Sequence, residues 1–289
     1  MIGAIAGDII GSPYEFDRGN KTKDFPLFSD KSHFTDDTVM TIAVGLALIN
    51  SSINKSDDVI KANIIDSMIR MGKEYPNVGY GSRFSMWLRS STHYPYQSYG
   101  NGSAMRVSSV AWLYQDIATV RRIARLSAEV THNHPEGIKG AEAVACAIFL
   151  ARTTHDKKVI REFIEGTFHY DLTRTCDEIR PTYHHVETCM QTVPEAITAF
   201  LEGETFEDVI RTAVSLGGDC DTLTCIAGSI AEGFYGVPHE IKDECYRRLT
   251  PELAKTVSNI SLCIKEYNNE HKYDFTKKDE GKDKNVEKG

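Results

Sequence analysis

A chain of 289 residues, 41% hydrophobic and 26% charged, can bury a sizeable core as one large domain or two small ones. Its formal net charge of -8 excludes the basic face of a general nucleic-acid binder, but not an anionic small ligand held by backbone N–H groups. Seven scattered cysteines without a C-x-x-C pair exclude a zinc framework and read as reduced thiols of a cytoplasmic protein.

At the start of the chain, Ile2–Gly11 is apolar but short, lacks a basic flank and carries Asp8, so it is neither a signal peptide nor a membrane span. No later stretch reaches spanning length, and no membrane partner is expected. Gly11–Lys31 follows as a polar connection rich in Gly, Asp and Phe. Apolar residues at three-to-four spacing then predict helices over Thr38–Leu48, Val59–Met71, Val120–Val130, Ile138–Leu150, Val193–Leu201, Phe206–Val214 and Thr222–Phe234. Small residues inside these runs, such as Ala43, Gly45, Ala47, Ala141, Ala143, Ala145 and Ala147, allow helices to approach closely. With no strand–helix alternation and no series of hairpin turns, the expected class is all-α. Pro76–Ser82, Tyr94–Arg106 and Phe168–Val186 read as loops, and long ordered loops in a compact domain are often functional. Residues 1–265 are expected to form one domain, and the charged stretch 266–289 a disordered tail.

Thr35-Asp36-Asp37-Thr38 and Gly217-Gly218-Asp219-Cys220-Asp221-Thr222 each set doubled carboxylates at the start of a predicted helix. A single Asp or Thr there is ordinarily a cap, with a helix-dipole gain of roughly 0.3–1 kcal/mol. A second carboxylate beside it adds like-charge repulsion unless a cation offsets it. Clustered hard oxygen donors suit Mg²⁺ or a similar ion, so caps and a metal site are both open from spacing alone.

Further blocks accompany these motifs. Gly7-Asp8, Gly11-Ser12-Pro13-Tyr14-Glu15, Thr35–Thr38, Tyr99-Gly100-Asn101-Gly102-Ser103-Ala104-Met105-Arg106, Thr131-His132 and Gly217–Thr222 occur in this order along the chain. At these separations, from Met1 to about Pro238, the chain resembles the ADP-ribosylglycohydrolases, a family that includes the dinitrogenase-reductase-activating glycohydrolases. The resemblance implies a compact single-domain, multi-helix orthogonal bundle. It implies two Mg²⁺ ions, Mn²⁺ in some members, held by Thr35, Asp36, Asp37, Asp219, Asp221 and Thr222. Glu15 matches the family's functional glutamate near the metals and the scissile bond, with Asp36 as the alternative catalytic carboxylate. Two divalent ions would also offset most of the charge of five clustered carboxylates.

Ser98, Tyr99, Gly100, Asn101 and Gly102 match the family loop that wraps a pyrophosphate and distal ribose. Gly79, Tyr80 and Gly81 match a loop near metal and ribose, and His132 a residue set against ribose or phosphate. From the residues alone, Ser98–Gly102 reads as an ordinary Gly/Asn turn before a helix, and His132 as a cap or packed side chain. His134, His184 and His185 carry no such match. Cys220, a soft donor, is expected to point away from hard ions. Arg83 and Arg106 either reach phosphate or form helix-face salt bridges.

The implied activity is metal-dependent hydrolysis at the ribose anomeric carbon, freeing ADP-ribose from an ADP-ribosylated protein or other acceptor. One rival is a paired-metal hydrolase of another nucleotide-derived bond. The other is a non-catalytic ADP-ribose-binding module, against which stands the presence of Glu15 and all six metal positions. Nothing in the sequence selects the acceptor.

Overall fold

A computed structural model describes residues 1–51 and 55–270. From the N-terminus the chain forms α1 (Ile2–Gly11), a short 3₁₀ turn (Ser12–Tyr14), α2 (Asp36–Ile49), α3 (Asp57–Glu74), α4 (Ser82–Arg89), α5 (Gly102–Met105), α6 (Ser108–Leu113) and α7 (Ile117–Glu129). It continues through α8 (Pro135–Thr154), α9 (Lys157–Phe168), α10 (Cys176–Ile179), α11 (Cys189–Glu202), α12 (Phe206–Leu216), α13 (Cys220–Tyr235), α14 (His239–Arg248) and α15 (Pro251–Glu270). Among the described residues the β structure is confined to an isolated antiparallel bridge between Gly100 and Thr188. The all-α expectation holds, and each of the seven predicted runs coincides with a helix, Val120–Val130 overrunning the end of α7 by one residue.

Helices α9 and α14 were not foreseen, because each buries only a thin stripe. In α9 it is Ile160, Ile164 and Phe168, four residues apart, and in α14 only Ile241 and Cys245. Helix α15 carries the chain through Glu270, so the first residues of the expected tail are helical. The remainder of that tail lies outside the described residues. No described helix is long and apolar enough to cross a membrane.

At the centre stands α13, almost wholly buried and packed by α1, α8, α11 and α12. Its most extensive contact is with α1. Gly3, Gly7 and Gly11, spaced four apart, line one face of α1 and meet α13 backbone directly. A β-carbon would stand 2.3 Å from Gly228 O at Gly3, 2.1 Å from Thr224 O at Gly7 and 2.6 Å from Cys220 O at Gly11. With no side chains between them, the two backbones touch. Helix α8 uses alanine to similar effect, with Ala141, Ala143, Ala145 and Ala147 fully buried.

Two Gly→Ala substitutions should therefore act in opposite directions. Alanine is the better helix former by about 1 kcal/mol. At Gly166 in α9 the new methyl meets nothing, so Gly166→Ala should raise unfolding free energy by up to about 1 kcal/mol. At Gly7 overpacking outweighs propensity, and Gly7→Ala should lower it by about 1–3 kcal/mol, read from urea denaturation.

Candidate active site

The α1–α13 contact decides which charged groups meet. Gly11 rests on the backbone of Cys220 and Asp221, so the turn after α1 returns Glu15 to the start of α13. There Glu15, Asp219 and Asp221 bring carboxylate oxygens within 4.8 Å of one another. Gly217 and Gly218, both at φ +77°, make the sharp turn from α12 into Asp219, a conformation that β-carbons resist. Asp17 ties the Glu15 loop to that turn, accepting from Gly218 N and from His185 N, each at 2.8 Å.

The two acidic motifs converge. Thr222 Oγ1 donates to Asp37 Oδ1 at 3.2 Å, joining α13 to α2. Glu15, Asp36, Asp37, Asp219, Asp221 and Thr222 all line one cleft of about 420 Å³. Capping does not explain them. The cap of α2 is Thr35, whose side chain accepts from Asp37 N, while the Asp219 side chain makes no capping bond to α13.

Burial, reinforced by Asp221, pushes Asp36 and Asp37 well above the usual carboxylate range. Asp221 rises for the same reason, with Asp219 as its strongest like-charged neighbour. Glu15 is pushed up to about 7 by burial and then by Asp221, and Asp219 to about 7 by burial with Glu15 adding to it. Asp37 Oδ2 is buried without a hydrogen-bond partner. An all-oxygen donor set with an orphaned anionic acceptor fits a hard divalent cation. Cys220 does point elsewhere, its Sγ lying 3.8 Å from Val214 O and 3.9 Å from Thr224 Oγ1.

Thr35 stands apart from this group, because it does not line the cleft. Its N–H and hydroxyl donate to Asp8 at 2.9 and 2.7 Å, and Thr38 N and Oγ1 donate to the same carboxylate at 3.1 and 2.5 Å. Asp8, fully buried in α1, thus fixes the N-terminus of α2. The sequence motifs alone assign Asp8 no role. The available signal was a carboxylate inside an otherwise apolar helix, which is costly to bury without partners.

Beside Asp36 runs the Gly79–Gly81 loop. Asp36 N donates to Val78 O at 2.8 Å, and a β-carbon at Gly79 would lie 3.4 Å from Asp36 Oδ1. Tyr80 lines the cleft with its hydroxyl buried and unpartnered. On the opposite wall, Asn101 N donates to Glu187 O and Cys189 N to Tyr99 O, each at 2.9 Å. Ser98, Gly100, Asn101, Gly102 and His132 line the cleft there, but Tyr99 does not. Tyr99 is 44% exposed and sits edge-on to His134, 5.2 Å between centroids. The Asn101 amide turns to the acidic wall, donating to Asp219 Oδ2 at 2.7 Å and to Thr192 Oγ1 at 3.1 Å.

Among the described residues, neither Arg83 nor Arg106 forms a helix-face salt bridge. Arg106 is buried and donates to Ser127 O and Thr131 Oγ1, each at 2.8 Å. Arg83 donates to Tyr96 O and lies over the Tyr96 ring, 4.8 Å from its centroid. Both line the cleft. His134 caps α8, accepting from Glu136 N at 3.1 Å, and His185 packs against Phe16 on the rim, 4.8 Å between centroids.

The family model for ADP-ribosylglycohydrolases matches residues 1–270. The chain belongs to this family. It is similar to the ADP-ribosylhydrolase ARH3 of Mus musculus, at 27% identity over 85% of this chain and 86% of that protein. It is also similar to the ADP-ribosylarginine hydrolase Tri1 of Pseudomonas putida (strain GB-1), at 25% identity over 82% and 70% of the two chains. Among solved structures, a chain of an ADP-ribosylglycohydrolase-related protein complex shares the fold. Its TM-score is 0.70 over 92% of this chain and 95% of that one, at 21% identity.

Within this ADP-ribosylglycohydrolase, Asp8→Ala would leave the amides of Thr35 and Thr38 buried without acceptors. Each orphaned donor costs about 1–3 kcal/mol, so urea denaturation should show a loss of about 3 kcal/mol.

Proposed function

We propose that this ADP-ribosylglycohydrolase is a metal-dependent glycosidase that frees ADP-ribose from an ADP-ribosylated protein or other acceptor. The observation that carries this reading is the convergence of five carboxylates, with an orphaned oxygen, in one cleft. Asp36, Asp37, Asp219 and Asp221, with Thr35 and Thr222, are the residues that would hold two Mg²⁺ ions, or Mn²⁺. Hard divalent ions bound there supply Lewis-acid charge to sugar hydroxyls and to water. Thr35 would offer such an ion only an oxygen lone pair, since its hydroxyl proton goes to Asp8.

Glu15 is half-buried beside Asp219 and Asp221, where it orients the attacking water and takes its proton. The bond from the ribose anomeric carbon to the acceptor breaks as the water oxygen bonds that carbon. The bonding pair leaves with the acceptor, which takes up a proton. Asp36 is the second carboxylate able to exchange that proton. Positive charge developing on the ring faces the surrounding carboxylates. Gly79–Gly81, the wall residues Ser98, Gly100, Asn101 and Gly102, and His132 enclose the rest of the ligand. Tyr99, exposed beside the cleft, is left for the outer end of the nucleoside. Similarity to the ADP-ribosylhydrolase ARH3 and the ADP-ribosylarginine hydrolase Tri1 supports hydrolysis of ADP-ribose linkages. Seven unpaired cysteines support a reducing, cytoplasmic setting.

Incubation with mono-ADP-ribosylated protein should release free ADP-ribose in Mg²⁺ and none after EDTA. Release of AMP or phosphate instead would identify a hydrolase of a different bond. Glu15→Gln should retain ADP-ribose affinity by calorimetry while turnover falls by about 100-fold or more.

A further inference from the structure

Thr131 is fully buried just after α7, with its hydroxyl between two partners. Its Oγ1 accepts from Arg106 Nη2 at 2.8 Å and lies 2.7 Å from His132 Nδ1. A guanidinium has no acceptor lone pair, so the hydroxyl proton cannot be directed at Arg106. Among the described residues, Nδ1 of His132 is the acceptor within reach. If Nδ1 were instead protonated and donating, the hydroxyl hydrogen would be buried without a partner, which is the costlier arrangement. Thr131 therefore donates to Nδ1, and the single proton of the neutral ring sits on Nε2.

Nε2 faces the cleft. A β-carbon at Gly100 or Gly102 would come within 3.4 or 3.5 Å of it, so the two glycines leave the approach to this nitrogen open. We propose that Arg106 and Thr131 are positioning residues that lock His132 as an Nε2–H donor for a phosphoryl oxygen of the ligand. The tautomer rests on the hydrogen-bond geometry alone; the ligand rests on the ADP-ribose reading above.

Three further observations favour a phosphoryl oxygen. Burial and the charges of Arg106 and Arg83 hold His132 well below the usual histidine range, keeping the ring neutral. Arg106 Nε is buried and unpartnered at the cleft wall, so the guanidinium charge is felt there without a carboxylate on it. The neighbouring loop has fewer free donors than its glycines suggest. Gly100 N is engaged by Ser98 Oγ at 3.2 Å and Asn101 N by Glu187 O at 2.9 Å. With these two amides occupied, His132 adds a side-chain donor at this wall.

Long-range ¹H–¹⁵N NMR of the ligand-free protein at neutral pH reads the tautomer directly. Wild type and Thr131→Ser should show the Nε2-protonated ring, while Thr131→Val should populate the Nδ1-protonated form. Thr131→Ala, hydroxyl-free and smaller, is the second variant with the same expectation. By calorimetry, ADP-ribose affinity should fall about tenfold in Thr131→Val and return to within about twofold of wild type in Thr131→Ser. An Nδ1-protonated ring in wild type, or an unaltered tautomer in both hydroxyl-free variants, overturns the relay. A shifted tautomer with unchanged ADP-ribose affinity overturns its role in binding. Wild-type protein that binds no ADP-ribose overturns the functional reading instead, and the ligand-free spectra still decide the relay.

Discussion

The backbones of α1 and α13 touch along Gly3, Gly7 and Gly11, and this contact sets where the charged groups of the site stand. Helix axes separated by ordinary side chains lie about 8–10 Å apart, and at that spacing the turn after Gly11 would not lie against Asp221. Close approach lets the short 3₁₀ turn return Glu15 to Asp219 and Asp221. It also buries Asp8 opposite the start of α2, where four donors from Thr35 and Thr38 meet its two oxygens. One seam of three glycines thus organises an acidic centre drawn from three helix ends.

Magnitudes explain why these carboxylates are not caps. A carboxylate near a helix N-terminus gains roughly 0.3–1 kcal/mol. Removing one from water costs several kcal/mol, and adjacent like charges add to that cost. Asp36, Asp37 and Asp221 show the cost in their raised proton affinities, with other carboxylates as the reinforcing neighbours. A fold that keeps such groups together must be held by packing elsewhere, and the buried faces of α1, α8 and α13 are that packing. The orphaned oxygen of Asp37 belongs to the same account, since it leaves an anionic acceptor directed at its neighbours and at no donor.

The cleft is electrically two-ended. Its acidic end holds Glu15 and the four aspartates, while Arg83, Arg106 and His132 line the other. This polarity reconciles a net charge of -8 with a phosphate-bearing ligand, because the local field at one wall differs in sign from the protein's total. Asn101 ties its loop to the acidic side, its side chain bonded to Asp219 and its backbone to Glu187. The Ser98–Gly102 loop therefore works partly as a brace, and Arg83 and Arg106 supply the positive character of the cleft.

Sequence alone determined the all-α class, seven of the helices, and the placement of doubled carboxylates at two helix starts. Those features are local: a three-to-four repeat fixes which face is buried, and motif order marks the family. Charge-rich helices such as α14, with two buried side chains, left too little pattern to read. Tertiary structure alone decided that Asp8 anchors Thr35, that Asn101 serves Asp219 from 118 residues away, and that Tyr99 sits outside the cleft lining. It also turned Arg106 inward to Ser127 and Thr131. The physical reason is one of range. Backbone periodicity is set by neighbours in the chain, whereas the partner of a buried polar group is whatever the packing of distant helices brings within 3 Å.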